Sequence, residues 1–296
     1  MIDFIKLIYR DNGEFKELVM DKKNFPDLEG TFVYHTGEIK PYYKTKFVSL
    51  DVRVSEESGN IKNSLHKFYN QLKLSEDQNY NDFGYYSLSE AIDIIQKKFK
   101  VINEGKLTQL EFGLNIVLDR PPDSIVRGNF ILHKDKAGSS ENFRGSGELK
   151  RFIHSNYIIK VYDKGMQFNQ EINILRFEIK FTKALEFRSM EIYFLYDLKN
   201  KVILRKLFLY LIKRFDEIVI VDEFSTTSLK DSNDYNDLIK YTNPLFWSEE
   251  MKGVHPQTKK RENDKFKKLL IKNDLLITKK YIRKLLFEKF INLMNS

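Results

Sequence analysis

Glu111, Tyr162 and Glu178 are the residues on which chemistry could rest, because each lies on the polar side of a segment with alternating apolar residues. Leu110, Phe112, Leu114, Ile116 and Leu118 oppose Gln109, Glu111, Gly113 and Asn115; Tyr157, Ile159 and Val161 oppose Lys160, Tyr162 and Lys164; Leu175, Phe177, Ile179 and Phe181 oppose Arg176, Glu178 and Lys180. Alternate side chains of a strand share a face, so three such strands side by side would present one polar surface. A phenol, with a solution pKa of about 10, is a weak nucleophile that needs nearby positive charge or a metal. Two carboxylates could hold Mg²⁺ or Mn²⁺, while Lys164 and Arg176 could balance charge on phosphate oxygens. The set suits phosphodiester cleavage by tyrosine. Taken singly, each residue also reads as a solvated strand position, or as a tyrosine that packs its ring and wets its hydroxyl.

Other chemistries have less to stand on. His35, His66, His133, His154 and His255 are scattered, with no metal-binding pair at strand or helix spacing. No phosphate-binding Gly-x-x-x-x-Gly-Lys loop occurs, and Gly145-Ser146-Gly147 lacks a strand-turn-helix context. A serine hydrolase would need a nucleophile elbow that is missing. The chain has no cysteine, which excludes disulfides and thiolate metal sites and points to a reducing compartment.

The elements that must position these residues are legible from periodicity. A fourth alternating segment runs through Val48, Leu50, Val52 and Val54, and an early strand is expected around Phe4 to Tyr9. Ser87-Leu88-Ser89-Glu90 reads as a capping box opening a helix with Ala91, Ile92, Ile95 and Phe99 on its apolar side. A second helix is expected from Pro122-Asp123, carrying Ile125, Phe130 and Ile131, and one or two more between Met190 and Ile218. The expected fold is α+β, a mainly antiparallel central sheet with helices on it. The groups at 45–132 and 150–215 look like two versions of one plan. The expected domains are a catalytic unit over 1–220, a linker over 221–258 and a basic helical tail over 259–296, with helices at 264–272 and 278–294.

With 296 residues and 42% hydrophobic content, the chain has enough apolar material for a real core. The net charge of +8 is confined to the tail, which holds twelve Lys/Arg against four Asp/Glu and leaves 38 of each sign elsewhere. Localised positive charge is the footprint of a polyanion partner, and it marks Lys259, Lys260, Arg261, Lys267, Lys268, Lys279, Lys280 and Arg283 as candidate DNA contacts, with Lys160 and Lys180 on the sheet. A solvated Lys-rich helix would carry the same charge. No window resembles a signal peptide or a membrane span, so a cytoplasmic protein without membrane contact is expected.

Five segments occur in an order that resembles a known family: Met1-Ile2-Asp3-Phe4-Ile5-Lys6-Leu7, Ser64-Leu65-His66-Lys67-Phe68-Tyr69-Asn70, Leu107 to Asn115, Val161-Tyr162-Asp163-Lys164-Gly165, and Leu175-Arg176-Phe177-Glu178-Ile179-Lys180. Together they resemble the replication initiators of filamentous phages, the gene II protein type, and related phage and plasmid initiators of rolling-circle replication. That resemblance implies a nick at an origin through a 5′-phosphotyrosyl intermediate, later religated. Carried over by position, Tyr162 is the nucleophile, Glu111 and Glu178 are the Mg²⁺ or Mn²⁺ carboxylates, and Lys164 and Arg176 are the phosphate contacts. It also implies origin DNA, single-stranded or hairpin, as partner, with a host helicase, a host polymerase and a second copy of the chain, in a bacterial cytoplasm. The family's usual Arg-Ile-Asp is replaced by Gln109-Leu110-Glu111, and Tyr157 and Tyr193 are alternative phenols. A DNA-binding protein without covalent chemistry and a metal-dependent nuclease that uses water stay open as other classes.

Overall fold

The computed structural model describes residues 1–10, 13–101, 104–142 and 147–296, so Gly145 and Ser146 lie outside the described residues. Strand β1 (Ile2–Tyr9) is followed by helix α1 (Gly13–Met20), strands β2 (Glu29–Phe32), β3 (Ile39–Phe47), β4 (Leu50–Val54) and β5 (Gly59–Ser64), and helices α2 (Leu65–Leu74) and α3 (Tyr85–Lys98). The long strand β6 (Lys106–Val117) leads to α4 (Pro122–Gly128), β7 (Phe130–His133), β8 (Lys136–Ala137), β9 (Ser139–Asn142), β10 (Glu148–Ile153) and β11 (Tyr157–Asp163). After the short α5 (Lys164–Gln167) come β12 (Ile174–Phe181), α6 (Ala184–Arg188), α7 (Lys201–Asp216), β13 (Ile218–Ile220), α8 (Tyr235–Thr242), α9 (Pro256–Lys272) and α10 (Ile277–Asn295).

Ten strands form one sheet in the order β2-β3-β4-β5-β1-β6-β12-β11-β10-β9, and β13-β7-β8 form a second. The α+β class and the antiparallel sheet expected from the sequence are therefore observed. Burial alternates with residue type in β4, whereas β6 and β12 are buried on both faces along most of their length. Leu50, Val52 and Val54, then Leu110, Phe112 and Leu114, then Ile159 and Val161, then Leu175, Phe177 and Ile179 are all buried. β1 runs antiparallel to both β5 and β6, with Lys6 opposite Lys62 and Gln109, and bulges interrupt its pairing with β6 between Ile2 and Ile5 and between Lys6 and Leu7.

The described residues divide into two compact units, Met1–Gly113 with Lys180–Phe208 and Ile291–Ser296, and Leu114–Ile179 with Leu209–Phe290. In the first, Tyr9 stacks on Phe15 with ring centroids 4.0 Å apart, and Phe99 lies 6.0 Å beyond. Gly59 makes that stack possible, since a Cβ there would fall 2.2 Å from the Phe15 ring. In the second, Ile131, Leu132, Val219, Leu238, Tyr241, Phe246, Trp247, Phe266 and Leu270 share one apolar cluster. Burial of this kind stabilises by about 1.5–3 kcal/mol per large side chain.

Several local expectations are corrected. Helix α3 opens at Tyr85 behind Gly84, not at the Ser87 box: the Tyr86 N–H donates to the Ser296 carbonyl (2.9 Å), and Glu90 accepts from Tyr69 Oη (2.7 Å) instead of closing a cap. Phe130 and Ile131 belong to β7, because α4 ends at Gly128. Val48 sits in a turn at φ 56°. Lys164 is not a strand residue. Asp163 Oδ1 accepts from the Met166 N–H (2.9 Å) and turns the chain into α5 there. Residues 221–258 contain α8 and the π-helical segment Phe246–Glu250, whose Trp247 donates to the Tyr241 carbonyl (2.8 Å) inside the cluster. The segment reads as a linker by composition because its few apolar residues are large and irregularly spaced. The tail helices begin at Pro256 and Ile277, and they bury Phe266 and Leu270, then Ile282, Leu286 and Phe290. Among the described residues, no helix is long and apolar enough to cross a membrane.

Candidate active site

Asp3 stands at the bulged start of β1, buried, and its carboxylate is held by donors from two directions. Ser64 caps α2 by accepting from the Lys67 N–H (3.1 Å) and donates its own hydroxyl to Asp3 Oδ1. Asn79 Nδ2 donates to both Asp3 oxygens (3.1 and 2.9 Å). The loop that presents Asn79 is fixed in turn: Asn70 Nδ2 donates to the Gln78 carbonyl (2.7 Å) and to Asn81 Oδ1 (2.9 Å), and His66 Nε2 shares a 2.6 Å hydrogen bond with the same oxygen. The Ser64–Asn70 segment thus builds the support under Asp3.

Glu178, on β12, is 1% exposed and engages a cation with each oxygen. Lys160 Nζ on β11 donates to Oε1 (2.7 Å) and Arg176 Nε to Oε2 (2.6 Å), and Arg176 Nη1 continues to Asn115 Oδ1 (2.8 Å). Buried charges of this kind persist only when paired and hydrogen-bonded. Glu111, on β6, is paired with Lys180 at 3.1 Å, and Lys180 lies over the Phe4 ring. The Lys180 side chain is 34% exposed, so this pair is the most open to exchange.

One carboxylate oxygen each from Asp3, Glu111 and Glu178 lies within 4.8 Å of the others. The all-oxygen donor set suits a hard cation. Octahedral Mg²⁺, with bonds of about 2.1 Å, needs ligand oxygens separated by roughly 3.0–4.2 Å, which modest side-chain adjustment reaches. A carboxylate oxygen that already accepts one N–H retains a second lone pair for a cation. The residues therefore fit a divalent metal. The sequence pattern points to two of these carboxylates and misses Asp3; the available signal was a lone acid within the apolar run Met1-Ile2-Asp3-Phe4-Ile5.

Tyr162 is 5% exposed and lies on the same strand face as Lys160, two residues away, and so on the face that carries Glu178. Lys164 is buried with its Nζ 5.5 Å from the Tyr162 ring centroid and 4.8 Å from that of Phe168. Of the alternative phenols, Tyr157 is held between Arg214, 4.8 Å from its ring centroid, and a stacked His154 ring, also at 4.8 Å. Tyr193 is half-exposed, with its backbone carbonyl accepting from Leu107 (2.8 Å).

The basic helices divide in two. Lys260, Arg261, Lys267, Lys268 and Lys280 are exposed, and Lys259 is half-buried. Lys279 and Arg283 have structural partners: Lys279 Nζ donates to the Asp216 and Ile218 carbonyls (2.8 and 2.5 Å) at the end of α7, and Arg283 forks onto the Asp216 carboxylate (2.8 and 3.1 Å). Burial pushes the Lys279 ammonium down to about 8.

Sequence spacing also separates two histidines that the fold joins. His133 Nδ1 and His154 Nε2 share a 2.7 Å hydrogen bond, and His133 Nε2 reaches Glu217 at 3.1 Å. Burial, then the charge of His154, pushes His133 down to about 3, with Glu217 opposing; burial, then Lys136 and Lys134, pushes His154 down to about 4.

No protein-family model matches this sequence, and no curated protein matches it. A solved rolling circle replication initiator protein from Geobacillus stearothermophilus aligns with 86% of this chain and 96% of its own, at 12% identity and a TM-score of 0.43.

Proposed function

We propose that this chain initiates replication by nicking one DNA strand with a tyrosine nucleophile and later resealing it. The buried carboxylate group of Asp3, Glu111 and Glu178, ringed by Lys160, Arg176 and Lys180, carries this reading. Three acids with three cations at hydrogen-bonding range form a site that can exchange its internal pairs for a metal and a phosphate. Asp3, Glu111 and Glu178 would hold Mg²⁺ or Mn²⁺, and the bound ion would polarise the scissile phosphate. Lys160, Arg176 and Lys180 would then balance charge on the phosphate oxygens. Tyr162 is assigned as nucleophile, with Lys164 supplying the positive charge a phenolate needs. Its Oη forms a bond to phosphorus as the bond from phosphorus to the 3′ oxygen breaks. The phenolic proton ends on that oxygen as a 3′ hydroxyl, and reversal of the step reseals the strand. The partner is origin DNA presented single-stranded or as a hairpin, and the exposed lysines of α9 and α10 would grip the DNA beside it.

The test is incubation with labelled single-stranded origin DNA and Mg²⁺ or Mn²⁺, followed by a denaturing protein gel. Label retained by the wild-type protein and lost in Tyr162→Phe is the expected result. Cleavage without an adduct would make the chain a hydrolytic nuclease, and a mobility shift without cleavage a DNA-binding protein. An adduct that survives Tyr162→Phe moves the nucleophile to Tyr157 or Tyr193.

A further inference from the structure

The outer face of the sheet in the first unit carries a line of cations that strand register connects. Residues directly opposite in paired strands share a face. Lys46 on β3 stands opposite Asp51 on β4, Asp51 opposite Lys62 on β5, Lys62 opposite Lys6 on β1, and Lys6 opposite Gln109, two residues before Glu111 on β6. Arg53 joins the same face opposite Lys44, Tyr42 shares the exposed alternation of Lys44 and Lys46, and Lys40 lies beyond an irregularity in the pairing of β3 with β2. Among the described residues, Lys6, Lys40, Lys46, Arg53 and Lys62 make no ion pair, whereas Lys44 is paired with Glu29 at 2.8 Å. The opposite side of the same strands is apolar and buried, with Val52, Ile61 and Leu7 in the core.

The far end of this line is a hairpin that leaves large apolar side chains in water. β2 is the edge strand, and every residue in it is exposed. Phe32 is 59% exposed, Tyr34 85% and Tyr42 39%. Isolated exposed aromatics are ordinary, but several on one projecting hairpin beside lysines form a surface suited to stacking.

We propose that this face is a track for single-stranded DNA, running from Glu111 across β1, β5 and β4 to the hairpin, where Tyr42 stacks on a base. The proposal rests on the nicking reading above and names the surface that would hold the strand beside the cut. Four inter-strand steps span about 19 Å, room for several phosphates. Unpaired cations along the line match a phosphate backbone, and an exposed aromatic matches bases that a duplex would keep stacked internally.

Binding is read by fluorescence anisotropy with labelled oligothymidine and no divalent metal, across a range of NaCl concentrations, for wild type, K46Q/R53Q/K62Q, Tyr42→Ala and Tyr42→Phe. The triple variant should flatten the slope of log affinity against log salt by about 0.7 per lost phosphate contact, or about 2 in all. Tyr42→Ala should weaken binding roughly 5- to 100-fold with an unchanged slope, and Tyr42→Phe should restore it. Thermal melting checks that each variant is folded. Unchanged affinity and slope in the triple variant and in Tyr42→Ala would overturn the track. So would equal losses on a duplex of the same length with Tyr42→Ala neutral, which would make this a duplex surface. If no tyrosine adduct forms with origin DNA while these variants behave as expected, the nicking reading falls and the track stands. If the adduct forms and the variants bind as wild type, the track alone falls.

Discussion

The three carboxylates of the site differ in what else depends on them, and single substitutions should separate metal binding from stability. Glu178 accepts from Arg176, which is 2% exposed, so Glu178→Gln removes the carboxylate that this buried guanidinium is paired with and should cost about 3–5 kcal/mol in urea unfolding. Glu111 faces the more open Lys180, so Glu111→Gln should cost about 1 kcal/mol or less while lowering Mn²⁺ affinity at least about tenfold in a calorimetric titration. Equal Mn²⁺ affinity in wild type and Glu111→Gln would make the acidic group a structural charge network.

The His133–His154 pair makes a separate prediction about pH. Both folded-state values, about 3 and about 4, lie below the unfolded value of about 6.5, so the unfolded chain takes up protons first. The stability contributed by the neutral pair is complete above about pH 6.5 and declines as pH falls toward the folded values, by about 1.4 kcal/mol per pH unit for each histidine. Urea melts between pH 7 and 5 should show this slope, and His133→Gln should flatten it.

At the scale of elements, α9 and α10 serve as core and as surface together. Truncation after residue 258 would strip Phe266 and Leu270 from the cluster that holds Tyr241 and Trp247, and the expected outcome is loss of cooperative unfolding, read by circular dichroism. A DNA role for the same helices is tested without that damage by changing exposed lysines alone. Lys260, Lys267, Lys268 and Lys280 to Gln should leave the melting temperature within a few degrees and flatten the salt dependence of DNA binding. Charge patterning marks the right helices but cannot tell a lysine that faces water from Lys279, which caps the end of α7.

At the scale of the whole molecule, a metal that binds only the folded chain must stabilise it. Mn²⁺ at about a hundred times its dissociation constant should add about 2.7 kcal/mol to the unfolding free energy of a two-state protein, seen as a rise in melting temperature that Glu111→Gln abolishes. A melting temperature indifferent to Mn²⁺ and Mg²⁺ would count against a metal at the three carboxylates.

Periodicity was enough for the α+β class, for the apolar faces of the alternating strands and for setting Glu111 and Glu178 on the opposite faces, because a period of two is a local property that a buried sheet face imposes on its own strand; that those opposite faces are buried too was decided by packing. Periodicity also located the basic helices. Tertiary structure decided what meets across the chain: Asp3 with Ser64 and Asn79, 61 and 76 residues away, and His133 with His154 and Glu217, 21 and 84 residues away. It also decided that residues 221–258 fold, since Tyr241 and Trp247 pack in a cluster with Phe266, a residue of α9, and with Leu132 and Val219 from β7 and β13. Side-chain pairing between distant segments depends on strand order and bulges, and no short window of sequence encodes either.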